Sequence, residues 1–331
     1  MFLSTSSPPS PTVYRLCLSV DAVEAQIPEA LLELIDNPKA TDICLQVGST
    51  QIDLGKGLES VNSLVLSESE LSALAKELIE LGGRRLDLAN PFADVALPGG
   101  LRVHAVLKSA CSDSTQVSIR LHSPVSISLE ELLSNGLATL SQSELIQEIV
   151  SSRSSFLITG ATGTGKTTLL RAMLSKTSER VIAVEDVTEL AGSNLVCLQS
   201  RPNNIEGAGQ ITLQDLVRQA LRMRPDRICI GEVRGEELVP MLQALNTGHR
   251  GATTLHANSL AQVPERLLSI ATQQGISEST LSRLAASAFE WVISLGVNNG
   301  VRRITGIGKF AIVNHELQVI SSLRSRNLQL A

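Results

Sequence analysis

The rhythm of apolar and polar positions changes near residue 126. Before it, helix and strand signals are short and mixed. Ala30 to Ile35 spaces its apolar residues as a short helix that stops at Asn37-Pro38, and Asp42 to Val47 reads as a short strand. Ser67 and Glu70 fit a capping box, in which a hydroxyl and a carboxylate each meet an orphan helix amide. Leu71, Leu74, Ala75, Leu78 and Ile79 then recur at helical spacing until Gly82-Gly83. Leu101 to Leu107 and Gln116 to Leu121 read as strands, and His122-Ser123-Pro124 as a linker. After residue 126, short apolar runs alternate with helical stretches: Phe156 to Ile158, Val181 to Val184, Leu195 to Leu198, Ile228 to Ile230 and Ala252 to Leu255. Ser128/Glu131 and Ser141/Glu144 are two further expected capping boxes. Glu290 to Leu295 and Arg302 to Val313 read as strands around an Asn298-Asn299-Gly300 turn. Continuous apolar strands between helices predict an α/β fold with a mostly parallel sheet, preceded by a smaller α+β domain. The expected organisation is a loose Ser/Pro-rich tail over 1–12, an N-terminal domain over 13–123, a linker over 124–127 and a C-terminal domain over 128–331.

Composition narrows the chemistry. Aromatic residues make up 2% of the 331 residues, and none lies between Leu157 and Ala288. A single-stranded nucleic-acid groove built on stacked rings is therefore disfavoured. A net charge of −5 also runs against a polyanion binder. Five cysteines, with no CxxC pair, read as reduced core residues of a cytosolic protein. The N-terminus lacks the basic and apolar regions of a signal peptide, and no apolar run approaches the length of a membrane span.

The strongest chemical signal is Gly160-Ala161-Thr162-Gly163-Thr164-Gly165-Lys166-Thr167, a complete G-x-x-x-x-G-K-[ST] loop between an apolar strand and a helix. Its backbone amides and the helix N-terminus suit phosphate. Lys166 is expected to reach the β- and γ-phosphates, and Thr167 to offer its hydroxyl to Mg²⁺. The expected nucleotide-binding set is this octet together with Thr168. Hydrolysis needs a carboxylate beside the attacking water, and Glu232, at the end of the strand Arg227 to Ile230, is placed to be one. No aspartate ends that strand, so Mg²⁺ would rest on Thr167, phosphate oxygens and water. Glu185 or Asp186, ending the run from Val181, is expected to hold a metal-bound or catalytic water, with a helix cap as the alternative. His256 ends the run from Gly251 and is read as a γ-phosphate sensor or as a structural histidine; His249 lacks the companions of a zinc site. Arg218 and Arg222 share a helix face, and with Arg224 and Arg234 they form either a solvated, salt-bridged set or arginine fingers toward a neighbouring subunit.

Four segments in this order resemble the secretion ATPases of the type II/type IV secretion superfamily, within it the Tad-type pilus-assembly and conjugal-transfer-associated ATPases. They are Thr159 to Thr168, Val184 to Leu190, Arg218 to Gly235 and Asn246 to Asn258. The resemblance implies a RecA-like motor domain behind a sensor-like N-terminal domain. It also implies a homo-oligomeric ring, usually of six, that binds ATP with Mg²⁺. It makes Glu185 the acidic-box residue and Glu232 the catalytic glutamate, and it puts His249 and His256 in the histidine box. Leu97 to Leu107 and Val117 to Arg120 are similar to two N-terminal segments of the family, whose arginines, here Arg102 and Arg120, would approach the phosphates. Lys108-Ser109 departs from the two prolines of many relatives. The tetracysteine module of some type II relatives is missing, so no zinc is expected.

The resulting expectation is an ATP-driven motor for a pilus or a secreted protein, docked from the cytoplasm on inner-membrane platform proteins. A DNA-translocating ATPase and a non-hydrolysing nucleotide-binding regulator are the alternatives. With no ring in its central segments, the motor would hold adenine on aliphatic side chains, arginine planes or residues elsewhere.

Overall fold

The structure, a computed structural model, describes residues 27–55, 57–97, 101–109, 111–121, 127–190, 192–201, 209–298 and 300–324. The expected tail, Tyr14, Cys17, the linker residues 122–126, Pro98 to Gly100 and Asn299 lie outside the described residues. The described residues fall into two compact units, 27–121 and 127–324.

The first unit is an antiparallel sheet with helices on one face. Its elements are α1 (Glu29–Ile35), β1 (Asp42–Gln46), β2 (Ser49–Asp53), β3 (Leu58–Val61), α2 (Glu68–Leu81), β4 (Phe92–Leu97), β5 (Leu101–Val106) and β6 (Gln116–Leu121). The strand order is β3-β2-β1-β6-β5-β4, and every neighbouring pair is antiparallel. The Ser67/Glu70 capping box forms, with the Ser67 amide donating to Glu70 Oε2 at 2.8 Å. Leu71, Leu74, Ala75, Leu78 and Ile79 are the buried stripe of α2. That stripe packs with Ile43, Leu45, Val103, Ala105, Val117 and Ile119 from one face of the sheet. The alternation of strand side chains then puts Asp42, Cys44, Arg102, His104, Ser118 and Arg120 on the other face.

The second unit opens with α3 (Leu129–Leu132), a π-helical turn (Leu133–Leu137) and α4 (Leu140–Ser151). The alternating part follows: β7 (Phe156–Thr159), α5 (Lys166–Leu174), β8 (Val181–Glu185), β9 (Leu195–Gln199), α6 (Leu213–Ala220), β10 (Arg227–Val233), α7 (Leu238–Asn246) and β11 (Arg250–Leu255). After α8 (Val263–Gln273) and α9 (Glu278–Ala288) the chain ends in β12 (Trp291–Asn298), β13 (Val301–Val313) and β14 (Glu316–Arg324). The sheet order is β14-β13-β12-β7-β11-β10-β8-β9. Pairing is parallel from β12 through β9 and antiparallel among β12, β13 and β14, so the α/β fold has a mixed sheet.

Both faces of the parallel strands are covered, which is why they read as unbroken apolar runs. Leu157, Ile182, Val184 and Ile230 join the core on one face; Phe156, Ile158, Ala183 and Cys229 join the core on the other. Cys111 departs from the expectation of core cysteines, because it is exposed on a turn of the first unit.

The expected Ser141/Glu144 box is corrected. Thr139, with extended φ and ψ of −72° and 166°, is the residue that caps α4, and Gln142 completes the box. Ser141 is already inside the first turn, where its hydroxyl cannot cap. Strand β14 was not anticipated. It pairs with Gly306 to Val313 of β13 through a hairpin whose turn residues, Asn314 and His315, both have positive φ, as a two-residue type I′ turn requires.

Candidate nucleotide site

The loop between β7 and α5 lies at the C-terminal edge of the parallel sheet, where open α/β folds bind ligands. Its glycines answer two steric demands. At Gly160 a Cβ would lie 2.7 Å from both the Leu295 carbonyl oxygen and Thr164 Oγ1, so only glycine lets the loop pass under β12. Gly165 caps α5 with φ 93°, a left-handed conformation that leaves the first helix amides without a side-chain cap. Thr164 Oγ1 donates to the Ala161 carbonyl at 2.8 Å and closes the turn. Amides turned inward by such a loop, at a helix N-terminus, are a cradle for phosphate.

Lys166 is buried in that cradle. Its Nζ donates to the Gly160 carbonyl at 2.9 Å and the Ala161 carbonyl at 3.0 Å, and lies 3.3 Å from His256 Nδ1. A phosphate oxygen would exchange with those carbonyls as its partner. Burial pushes the Lys166 ammonium below its ordinary pKa; Glu232 opposes that push and Arg234 adds to it. His256 follows β11, and its Nε2 meets Glu232 Oε1. Burial, with the Lys166 charge second, lowers the His256 pKa, and Glu232 opposes. A neutral imidazole then accepts at Nδ1 from lysine and turns Nε2 toward the Glu232 carboxylate.

Glu232 owes its direction to an irregularity absent from the sequence signal. The pairing of β10 with β11 runs Ile230 to Thr253 and then Val233 to Leu255, so two residues of β10 face one of β11. This β-bulge holds Gly231 and Glu232 and re-aims the glutamate out of the ladder. Thr254 Oγ1 donates to the Gly231 carbonyl at 2.7 Å and fixes the bulge. Arg234 then closes back on the same carboxylate, its Nε donating to Oε2 at 2.6 Å. Buried Glu237 accepts from the Arg234 and Gly235 amides and holds that turn, a role sequence reading missed.

The structure thus brings Lys166, His256 and Glu232 into one cluster drawn from the first residue of α5, the residue after β11 and the bulge of β10. It places Glu185 elsewhere, at the end of β8 beyond β10. There its side chain crosses Gly231, where a Cβ would lie 2.9 Å from Glu185 Cγ. Its Oε2 accepts from the Glu189 and Leu190 amides at 3.2 and 3.1 Å. Burial raises its pKa to about 7 despite those amides and Arg171. Asp186, the alternative, is exposed and accepts from Ser200 Oγ at 3.0 Å. His249 precedes β11 and so lies at the opposite strand end from His256, 3.2 Å from the Ala244 carbonyl through Nδ1.

Thr167 and Thr168 stand in the first turn of α5, half-buried and exposed respectively, and Ala161, Thr162 and Gly163 are exposed. The donor set fits Mg²⁺ carried by a nucleotide, with the Thr167 hydroxyl in the first helical turn beside a phosphate cradle. Arg102 and Arg120 face one another across β5 and β6 in the first unit, where Arg120 Nε donates to Asp42 Oδ1 at 2.9 Å. Arg218 pairs loosely with Asp215 at 3.8 Å, and Arg222 reaches Gln219 at 3.5 Å.

Residues 59–294 match the sequence model of the family described as "Type II/IV secretion system protein". The chain belongs to this family of type II/IV secretion ATPases. The "Putative conjugal transfer protein Rv3659c" of Mycobacterium tuberculosis is 40% identical over 282 residues, covering 82% of this chain and 80% of that one. The type IV secretion system protein VirB11 of Bartonella quintana is 29% identical over 260 residues, covering 66% and 73%. The crystal structure of the pilus retraction motor PilT with bound ADP superposes with a TM-score of 0.63 at 18% identity, over 91% of this chain and 84% of that one, a likeness of fold. No helix among the described residues is long and apolar enough to cross a membrane.

Proposed function

We propose that this family member is an ATP-hydrolysing motor that powers pilus assembly or protein secretion through a membrane-embedded apparatus of the Tad/type IV kind. In this reading residues 128–331 are a RecA-like motor and residues 13–123 its sensor-like partner. The motor works as a homo-oligomeric ring, taken as six subunits, at the cytoplasmic face of the inner membrane on platform proteins. The observation that carries the reading is the cluster of Lys166, His256 and Glu232, a cation and a carboxylate joined through one imidazole beside a phosphate cradle.

The chain's own residues divide the work. The amides of the 160–168 segment and the Lys166 ammonium bind the phosphates and neutralise charge that grows on them in the transition state. Mg²⁺, held by Thr167 and phosphate oxygens, supplies further charge neutralisation when bound. Water attacks the γ-phosphorus, the bond to the β–γ bridging oxygen breaks, and Glu232 takes the proton that water loses. Arg234 bonds to one oxygen of Glu232 and His256 lies against the other, so together they orient it. A γ-phosphate that draws Lys166 away from His256 alters the imidazole's partner, and so reports nucleotide to β11 and the segment beyond. Glu185 acts from the next strand as a buried acid, and Arg102 and Arg120 would bring positive charge from the first unit.

Glu232→Gln should keep ATP binding and lower turnover by about 10²- to 10⁴-fold, the range for removing a general base. Steady-state phosphate release with an unchanged kcat would refute the role. The conjugal-transfer description of the mycobacterial relative favours a second reading, a DNA-translocating motor. Stimulation of turnover by single-stranded DNA, lost steeply with added salt, would select it. The chain's net charge of −5 weighs the other way.

A further inference from the structure

The loop that cradles the phosphates carries a contact from far along the chain. Arg302, near the start of β13, donates from Nε to the Gly163 carbonyl at 2.9 Å, across 139 residues. Its stem crosses the loop's outer rim, since a Cβ on Gly165 would lie 3.5 Å from Arg302 Cδ. Arg302 is nevertheless exposed. Val297 is its cross-strand partner on β12 and so shares its face of the hairpin, with a relative exposure of 52%. The aromatic residues at the start of β12 lie away from Arg302: Trp291 begins β12 at the other edge of the sheet, and Phe289 is buried in the core before it.

We propose that Arg302 and Val297 are the seat of the nucleotide's purine base. This deepens the ATP reading above and rests on it. A single N–H of the guanidinium ties it to the loop, which positions the planar group beside the phosphate cradle. A guanidinium plane stacks on aromatic faces, and the exposed valine offers an apolar edge to the same ring. Such a seat recognises the π-face and not the hydrogen-bonding edge of the base, so ATP and GTP should bind alike.

The test uses the full chain and two probes, ATP and inorganic tripolyphosphate, titrated by calorimetry into the wild type, Arg302→Ala and Arg302→Lys. Loss of a base-stacking partner predicts ATP binding weaker by about tenfold or more in Arg302→Ala. Tripolyphosphate, which has no base, should bind as tightly as before. Arg302→Lys keeps the charge but not the plane and should also lose ATP affinity; it carries the test if the alanine variant does not fold, which thermal melting reports. Equal losses for both probes would overturn the proposal in favour of a loop-positioning role, and no loss for either would overturn it outright. Failure of the wild type to bind either probe would instead refute the phosphate site on which the proposal stands.

Discussion

The two edges of the parallel sheet handle charge in opposite ways. At the N-terminal edge Arg227, the first residue of β10, is buried and bonded through all three of its guanidinium nitrogens. Its Nε donates to Glu179 at 2.8 Å, its other nitrogens donate to the carbonyls of Ser154, Gly251 and Arg153, and its guanidinium lies over the Phe156 ring. Glu179 also accepts from Arg250 at 3.2 Å. At the C-terminal edge Lys166, His256 and Glu232 are joined in sequence, and the lysine spends its donors on loop carbonyls. One edge is a closed network whose partners have no substitute. The other holds groups whose partners can be exchanged for a ligand's atoms. A buried ion pair with fixed partners anchors strands; an exchangeable one is suited to binding and release.

The sharpest way to break this contrast is Lys166→Ala. It should lower ATP turnover by about a thousandfold, in line with removal of a transition-state charge contact. Thermal stability should be unchanged or higher, because a buried ammonium is gone. Phosphate-release kinetics beside a melting curve separate the two, and full activity would end the assignment. Arg227→Met should do the reverse. Leaving Glu179 with only Arg250 and the Thr177 hydroxyl, and three carbonyls without this donor, should cost about 3–5 kcal/mol in urea unfolding. The folded fraction should keep its kcat; a kcat loss without a stability loss would erase the distinction between the edges.

Glu185, at the C-terminal end of β8, sharpens the comparison. Its carboxyl titrates near 7 in the folded chain against an ordinary 4.5, so folding favours the protonated form. Its stabilising contribution is full below pH 4.5 and is lost as pH rises to about 7. By linkage that loss is on the order of 3 kcal/mol. Glu185→Gln should flatten stability over this window and stabilise the protein at pH 8. An unaltered pH profile in denaturant titrations would show that the carboxyl is not buried as described.

What could be read from the sequence was what the chain keeps contiguous. The loop from Gly160 to Thr167 needs only its neighbours, and the buried strands announce themselves because helices cover both faces. Glu232 was legible as a carboxylate ending an apolar run, but the bulge that aims it depends on how β10 and β11 count against each other. Arg302, Glu237 and the Glu179–Arg227 pair depend on partners brought together by folding, and their residue types carry no local signal. The capping residue of α4 was misread because Ser141 and Thr139 offer similar hydroxyls two positions apart, and only backbone conformation chooses between them.

The one tryptophan of the chain has an optical consequence. Trp291 pairs with Phe156 at the anchored edge, is 9% exposed and lies beneath Lys309 Nζ, 4.1 Å from its ring centre. Its fluorescence therefore belongs to the fixed edge of the sheet, blue-shifted while that edge is closed. Nucleotide added at the opposite edge should leave the emission almost unmoved, and unfolding of the strand foundations should shift it to the red. The molecule carries an internal gauge that separates loss of fold from change of ligand.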